Sequence, residues 1–266
     1  MKRTTTKMRN LRHTIVLVAG MPRAGTAWYF SLVNDLWLAH GGQDARELRS
    51  RYHLEKYVSR GNAQIDLTLP SLLLVAWPFV LGYTYVHKTH DSPAAHPSRP
   101  VSRWLTLCYL KKHWFTPLYI YRDPRDVILS AYEYGRRKAE IGHPNAFTAQ
   151  VPSIEAGVDW VKLYLKNWAW WMNYPGIVAT RYEDFITEYD HLLARVLDYL
   201  QFDLKDDTVQ AIAEKYRPGQ PPQPGTHFHK GVVGRFQGIF TPKQIQLCAE
   251  QLGPYIREMG YSLEKI

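Results

Sequence analysis

Short apolar segments alternate with longer segments of helical periodicity along the chain. Four of the short segments are rich in β-branched or aromatic residues and end at polar or turn residues, which is typical of β-strands. These predicted strands are His13–Ala19, Tyr83–His87, Leu118–Tyr121 and Gly176–Thr180. Apolar residues recur at helical spacing in three intervening segments, Tyr29–Leu36, Val161–Met172 and Leu192–Leu200. The alternation predicts an α/β fold whose central, mainly parallel β-sheet is flanked by helices.

Two further apolar segments raise the question of membrane association. The run "LPSLLLVAWPFVLGY", residues 69–83, is too short and too interrupted by Pro78 to cross a bilayer, and it predicts a buried helix or helix pair. The first apolar run leads straight into Pro22 and Arg23, so it favours a strand over a signal peptide. Residues 1–12 are expected to form a flexible basic tail, and the Pro/Gly-rich stretch Arg217–His227 a mobile loop. The interpretation is one soluble domain spanning residues 1–266.

Composition narrows the class of protein and of partner. The 266 residues are 45% hydrophobic and include nine Trp and eighteen Tyr, which indicates a folded globular protein. A formal charge of +9 favours anionic partners such as nucleotides, acidic metabolites, nucleic acid or a membrane surface, without choosing among them. Cys108 and Cys248 lack metal-ligand spacing, so a reduced, cytoplasmic setting is expected, although the two could pair.

The stretch "AGMPRAGTAW", residues 19–28, has the outline of a phosphate-binding loop between a strand and a helix. In a parallel sheet such a loop falls at the carboxyl end of a strand, where ligands bind. The Lys and Ser/Thr that a nucleoside triphosphatase carries after the second glycine are replaced by Thr26 and Ala27. A cation, Arg23, lies inside the loop instead. This stretch alone leaves open a P-loop-like nucleotide-binding core or an ordinary strand-to-helix turn.

A second candidate anion site lies in "YIYRDPRDVILSAYEY", residues 119–134. Arg122 follows a predicted strand, and Asp123-Pro124 is a favourable helix start. Ser130 lies two turns along the helix, so that Arg122 and Ser130 would hold one phosphate between a guanidinium and a hydroxyl. Taken alone, an Arg–Asp pair at a helix cap is the competing interpretation.

Five stretches together resemble the cytosolic-type sulfotransferase family. "PRAGTAW" is similar to its 5′-phosphosulfate loop and "YIYRDPRDVILSAYEY" to its 3′-phosphate segment. "VHKTHD" occupies the place of the family's KTH segment between them, and "WAWWMNYPGIVATRYEDF" and "FHKGVVGRFQGIFT" follow in the family's order. The resemblance runs from residue 14 to about residue 246. It implies 3′-phosphoadenosine 5′-phosphosulfate (PAPS) as donor, 3′-phosphoadenosine 5′-phosphate (PAP) as product, and transfer of a sulfuryl group to a hydroxyl or amine.

The resemblance also implies roles for individual residues. His90 would be the catalytic base, with Lys88 and Arg23 stabilising negative charge on the leaving phosphate, and no metal is implied. The residues expected to bind the donor are Arg23, Ala24, Gly25, Thr26 and Ala27 at the 5′-phosphosulfate, Trp28 and Tyr182 at the adenine, and Arg122, Ser130, His229, Lys230 and Gly231 at the 3′-phosphate.

The sequence departs from the family pattern at several of its positions. Arg23 replaces the usual loop Lys, His229 the usual Arg, and Phe236 the usual Trp. Gln237, Pro242 and Gln246 occupy positions of the family's dimer contact, so that mode of dimerisation is not expected and the oligomeric state is left open.

The acceptor falls where the resemblance is weakest. Its pocket is expected to draw on Leu69–Gly82, Asp91–Trp104 and Glu133–Phe147, with Asp91, Glu133 and Glu140 favouring a cationic group. A specialised metabolite is preferred over a polysaccharide or a protein tyrosine. Two other functions compete: a small-molecule or nucleotide kinase using the glycine loop, and a non-catalytic nucleotide- or RNA-binding protein. Neither nucleic acid nor stable membrane insertion is expected.

Overall fold

Four strands pair side by side in the order β2-β1-β3-β4, and every pair is parallel. The structure is a computed structural model and describes residues 13–95, 98–220 and 232–263. The strands are β1 Ile15–Gly20, β2 Tyr85–Thr89, β3 Phe115–Tyr121 and β4 Val178–Arg181. The predicted α/β fold with a parallel central sheet is therefore confirmed, and each predicted strand overlaps an observed one.

Helices cover the sheet, and several begin at residues that favour a helix start. The Asp123 side chain accepts a hydrogen bond from the backbone N–H of Arg125, and Thr241 and Gln244 form a capping box. The helices are α1 Thr26–Ala39, α2 Ala45–Arg51, α3 Leu69–Val80, α4 Pro100–Lys111, α5 Pro124–Glu140, α6 Ala146–Gln150, α7 Ile154–Met172, α8 Tyr182–Thr187, α9 Tyr189–Leu200, α10 Asp207–Lys215 and α11 Pro242–Glu258, with a 3-10 turn at Arg235–Gly238.

The register of the strands brings three chain segments to one edge of the sheet. Val18 of β1 pairs with Lys88 of β2 on one side and with Leu118 of β3 on the other. All six residues of β1 are buried, as expected of a central strand in a parallel sheet. Because the strands are parallel, the segments that follow β1, β2 and β3 meet at the carboxyl edge, where ligands bind in such sheets.

The apolar run at residues 69–83 forms a helix, α3, but the prediction that it is buried is wrong for half of its surface. Leu72, Val75 and Phe79 are buried, whereas Leu73 and Trp77 are more than half exposed. The helix is apolar on all sides and the protein covers only one of them. A helix of uniform apolarity has no sequence pattern that shows which side is covered.

Three other expectations bear on the chain outside the sheet. Within the described ranges no helix combines the length and the apolarity needed to cross a bilayer. Cys108 and Cys248 are both free thiols. The tail at residues 1–12 and the part of the predicted loop from residue 221 onward lie outside the described residues.

Candidate active site

The glycine loop after β1 is held in shape by backbone geometry and one buried hydroxyl. A side chain on Gly20 would place its Cβ 2.6 Å from the carbonyl oxygen of Ile120, so only glycine lets β1 and β3 approach there. Arg23 and Gly25 adopt left-handed backbone conformations, with φ of 64° and 83°. The Thr26 hydroxyl donates to the carbonyl oxygen of Met21 at 2.7 Å. The loop therefore turns the first residues of α1 toward the carboxyl edge of the sheet.

A cavity of about 650 Å³ opens at this edge. Three segments that follow strands contribute to its wall: the glycine loop, the end of β2 and the start of α5. The predicted residues that line it are Arg23, Gly25, Thr26, Ala27, Trp28, Lys88, His90, Arg122, Ser130 and Tyr182. The structure thus brings together ten of the sequence-predicted site residues. Ala24 belongs to the same loop but is fully buried beneath it.

Arg23 and Ser130 form a direct link between the two predicted anion sites. The Arg23 Nε donates to the Ser130 Oγ at 3.2 Å, and its guanidinium carbon lies 4.4 Å from the centre of the Tyr134 ring. Burial lowers the pKa of Arg23 to about 10. The guanidinium still carries its charge at neutral pH, and no carboxylate among the described residues forms an ion pair with it.

Arg122 is a buried cation held from two directions. Its Nη2 donates to the Asp126 Oδ2 at 3.0 Å and to the carbonyl oxygen of Val232 at 2.8 Å. Its guanidinium carbon lies 4.3 Å from the centre of the Tyr182 ring, and its buried Nε has no hydrogen-bond partner among the described residues. An unpaired buried N–H is costly, so this donor is suited to an added acceptor.

Lys88 brings a second cation close to Arg23 in a largely dry environment. Its side chain is 5% exposed, and burial, reinforced by the charge of Arg23, lowers the pKa of Lys88 to about 7. Two cations near each other raise the local positive potential. An anion bound between them would favour the protonated form of Lys88.

His90 is fixed in one tautomer by the end of β1. Its Nδ1 lies 2.7 Å from the carbonyl oxygen of Gly20. A carbonyl oxygen can only accept, so Nδ1 carries the proton and Nε2 keeps a lone pair. Burial, together with the charges of Lys88 and Arg23, holds the pKa of His90 well below its usual range. The imidazole is therefore neutral at neutral pH and able to accept a proton at Nε2.

Residues 13–251 match the sulfotransferase domain family. The chain belongs to this family. No curated protein sequence matches it. Its fold is similar to that of mouse sulfotransferase SULT7A1 complexed with PAP, at 18% identity over 94% of this chain and 85% of that chain, with a TM-score of 0.61. It is also similar to retinol dehydratase in a complex with retinol and PAP, at 18% identity over 94% and 83% of the two chains, with a TM-score of 0.58.

Three predicted residues of this sulfotransferase, His229, Lys230 and Gly231, lie outside the described residues. The chain that follows them contacts the site at Asp126. The sequence alone predicted no role for this residue. Its Oδ2 accepts from the backbone N–H of Gly234 at 2.8 Å and its Oδ1 from that of Phe236 at 3.1 Å. The same carboxylate binds Arg122, so it joins the 3-10 turn to the second anion site.

One of the three segments predicted for the acceptor pocket lines the cavity. Of the predicted acceptor segments, only Glu133–Phe147 lines the cavity, through its two end residues and through Tyr134, Arg137 and Ala146. Neither Leu69–Gly82 nor Asp91–Trp104 reaches it. The residues that replace them are Asn62, Gln64, Asp66, Gln150 and Tyr164.

The part of the cavity wall that the sequence did not predict, around Gln64 and Asp66, is a short extended segment beside β2. The backbone N–H of Ile65 donates to the carbonyl oxygen of Lys88 at 2.8 Å, and Gln64 forms a parallel bridge with Lys88. Buried Ala63, Ile65 and Leu67 alternate here with polar residues. This period of two was the available signal for a half-buried strand.

The carboxylates expected to favour a cationic acceptor are paired with other groups of the protein. Asp91 accepts from the backbone N–H of Leu67 at 2.9 Å, and Glu133 pairs with Arg235. Glu140 pairs with Arg136 outside the cavity. Asp66 lines the cavity instead and forms no ion pair among the described residues.

Asn167 of α7 holds the turn that carries His90. Its Nδ2 donates to the carbonyl oxygen of His90 at 2.9 Å, and its Oδ1 accepts from the Ser92 hydroxyl at 2.9 Å. One turn further on, the Trp171 indole N–H donates to the carbonyl oxygen of Asp91 at 3.0 Å. Asn167 and Trp171 are both buried, so both hydrogen bonds to this turn come from the inward side of α7.

We expect Asn167→Ala to lower the free energy of unfolding by about 2 kcal/mol or more, because two buried polar groups lose their partners. Urea unfolding measures this change. The control is Asn173→Ala, directly after the last residue of α7. Its exposed side-chain amide donates to the carbonyl oxygen of Ala169. We expect the control to change stability by less than about 0.5 kcal/mol. Equal effects of the two substitutions would contradict a special role for Asn167.

Proposed function

We propose that this sulfotransferase uses PAPS as its donor and transfers the sulfuryl group to a hydroxyl or amine of a small-molecule acceptor. One observation carries the proposal: a cavity that joins a glycine loop, a tautomer-fixed imidazole and an excess of positive charge. Arg23, Lys88 and Arg137 line it without an ion pair to any described carboxylate. Such a cavity favours a ligand with several negative charges.

The residues present fit a donor with two separate phosphate groups. The backbone of the glycine loop and the start of α1 suit the 5′-phosphosulfate. Arg122, with an unpartnered buried N–H, and Ser130 suit the 3′-phosphate. Trp28 and Tyr182 offer rings for the adenine, and Trp28 is held edge-on by Phe185 at a centroid distance of 4.0 Å. The mouse sulfotransferase and retinol dehydratase structures both contain PAP, which supports the same product here.

PAPS, when bound, supplies the sulfuryl group and leaves as PAP. His90 is proposed as the general base: its Nε2 accepts the proton of the acceptor hydroxyl or amine, while the carbonyl of Gly20 holds the other ring nitrogen. Lys88 and Arg23 would stabilise the negative charge that grows on the leaving phosphate oxygen. In this proposal the side chains of Lys88 and Arg23 stabilise the charge that a metal ion stabilises in many phosphoryl transfers.

We infer an acceptor of the specialised-metabolite class, handled by a single domain in the cytoplasm. The size of the cavity suits small ligands. Tyr134, Phe147 and Tyr164 line it together with the polar residues Gln64 and Asp66, which suits an acceptor with both an aromatic or alicyclic body and polar substituents. The two free thiols agree with a reducing compartment.

Thermal unfolding separates the proposed donor from a kinase substrate. We expect PAP at about one hundred times its Kd to raise the Tm by about 5 °C or more, because a ligand that binds only the folded state stabilises it. Adenosine 5′-phosphate, which lacks the 3′-phosphate, should give a smaller rise at the same concentration. Mg-ATP should give little, since the Lys and the metal-binding hydroxyl of a kinase loop are missing. A rise with Mg-ATP alone would overturn the proposal in favour of a kinase.

Substitution of His90 tests the base. We expect His90→Asn to lower kcat by about 10²- to 10⁴-fold, because the amide can still donate to Gly20 but has no basic nitrogen. The Kd for PAP should stay within about twofold. Transfer is measured with an acceptor identified by a screen with labelled donor. The matched control is His143→Ala: this exposed histidine was a predicted acceptor-side residue, but it does not line the cavity. Full activity of His90→Asn would remove His90 from the base role.

The lowered pKa of Lys88 predicts a proton uptake on donor binding. Above a pH of about 7 the free protein holds Lys88 largely neutral, and a bound anion raises that pKa toward its ordinary value. Affinity for PAP should therefore fall as pH rises from about 7 to about 9. Calorimetry of PAP binding in buffers of different ionisation enthalpy measures the uptake directly. Lys88→Arg should abolish it, and an uptake that persists in this variant would assign the proton to another group.

A further inference from the structure

The outer surfaces of α3 and α4 carry an unusual concentration of exposed apolar side chains. Eight of the fourteen large hydrophobic residues that are exposed in the described chain lie on these two neighbouring helices or directly after α3. We call them the α3–α4 face: Leu73, Leu74, Trp77, Val80, Leu81, Val101, Trp104 and Leu107. Trp77 is 56% exposed and Trp104 is 63% exposed. Apolar patches of this kind mark interaction surfaces on soluble proteins.

The spacing of these residues places them on one outward-facing stripe of each helix. Leu73, Trp77 and Val80 follow one another at helical intervals on α3, as do Val101, Trp104 and Leu107 on α4. The opposite sides of both helices pack inward. The two helices are also adjacent, since the Tyr109 hydroxyl of α4 donates to the carbonyl oxygen of Leu72 on α3 at 3.4 Å. The helices therefore turn apolar stripes outward from neighbouring positions.

The exposed charges on and beside α4 are positive. Arg99, Arg103, Lys111 and Lys112 are exposed beside or on α4, and none forms an ion pair with a described carboxylate. From Leu67 to Trp114 the sequence contains a single acidic residue, Asp91, whose carboxylate accepts from the backbone of Leu67. A ligand for this surface must combine apolar character with negative charge.

Basic residues also precede the first described residue, His13, in the sequence. The ring of His13 stacks on Phe79 of α3 at a centroid distance of 4.1 Å. The twelve residues that precede His13 in the sequence include five Lys or Arg and no Asp or Glu.

We propose that the α3–α4 face binds peripherally to the surface of an anionic lipid bilayer. Two copies of the same face would bring like charges together, which opposes self-association. Protruding tryptophans and aliphatic residues beside Lys and Arg suit the boundary between acyl chains and anionic headgroups. Binding of this kind needs no membrane-crossing helix. It is independent of the proposed donor and acceptor.

Cosedimentation with vesicles tests the proposal on the full-length protein. We expect binding to vesicles of phosphatidylcholine mixed with phosphatidylserine, little binding to phosphatidylcholine alone, and a loss of binding as salt is raised. The double substitution Trp77→Ser with Trp104→Ser should weaken partitioning by about tenfold or more, because two apolar anchors are removed. Arg103→Glu with Lys111→Glu should reduce the preference for anionic lipid. The control Leu163→Ser removes an apolar residue of similar exposure from α7 and should bind like the unchanged protein.

Each result decides for or against the proposal. Because the substituted side chains are exposed, the variants should keep the thermal unfolding and PAP binding of the unchanged protein, which shows that they fold. No vesicle binding by the unchanged protein would overturn the proposal, as would equal binding to neutral and anionic vesicles. Sedimentation that reveals a dimer dispersed by the double tryptophan substitution would assign the face to a second copy instead. If the unchanged protein bound vesicles but did not bind PAP, the proposed donor would be wrong and the proposed membrane-binding surface would still be supported.

Discussion

The close approach of strand ends at Gly20 is the constraint on which the site depends. A Cβ at this residue would lie 2.6 Å from a carbonyl oxygen of β3, so glycine alone allows the neighbouring strands to keep their register there. The carbonyl oxygen of the same residue accepts from His90 and sets its tautomer. One glycine thus fixes the position of the loop relative to β3 and the chemistry of the histidine that follows β2.

The same arrangement of strand ends buries positive charge, which costs free energy. Removing cations from water is costly, and the lowered pKa values of Lys88 and Arg23 express that cost. Arg122 is partly compensated by Asp126, whose carboxylate also holds the returning 3-10 turn. Lys88 and Arg23 have no such partner among the described residues. The site is therefore less stable empty than it would be with an anion bound, which links ligand binding to the stability of the fold.

Structural features that depend on nearby residues in the sequence could be predicted from it. Features that depend on contacts between distant parts of the chain could not. The strands and the two anion segments follow from local periodicity, turn residues and helix caps, as at Asp123. The wall at Gln64 and Asp66 shows a short alternating pattern, but its assignment as a strand depends on pairing with β2. The role of Asp126 required knowing that residues 234 and 236 return to it. The exposed side of α3 depended on which of its apolar surfaces the protein covers.

The cavity wall at Gln64 and Asp66 and the helix α3 of the outer face are joined by a short stretch of chain. Gln64 pairs with β2 beside the reactive end of the cavity, and the Leu67 backbone is held by Asp91, immediately after His90. Two residues later α3 begins. The segments proposed to bind the donor, which are the glycine loop, α5 and the 3-10 turn, do not include this segment. α3 is thus joined to this part of the cavity wall by a short stretch of chain and by the two anchors at Gln64 and Leu67. The same segment also holds Lys88, because the backbone N–H of Ile65 donates to the carbonyl oxygen of Lys88, so the outer face is connected to both partners of the proposed transfer.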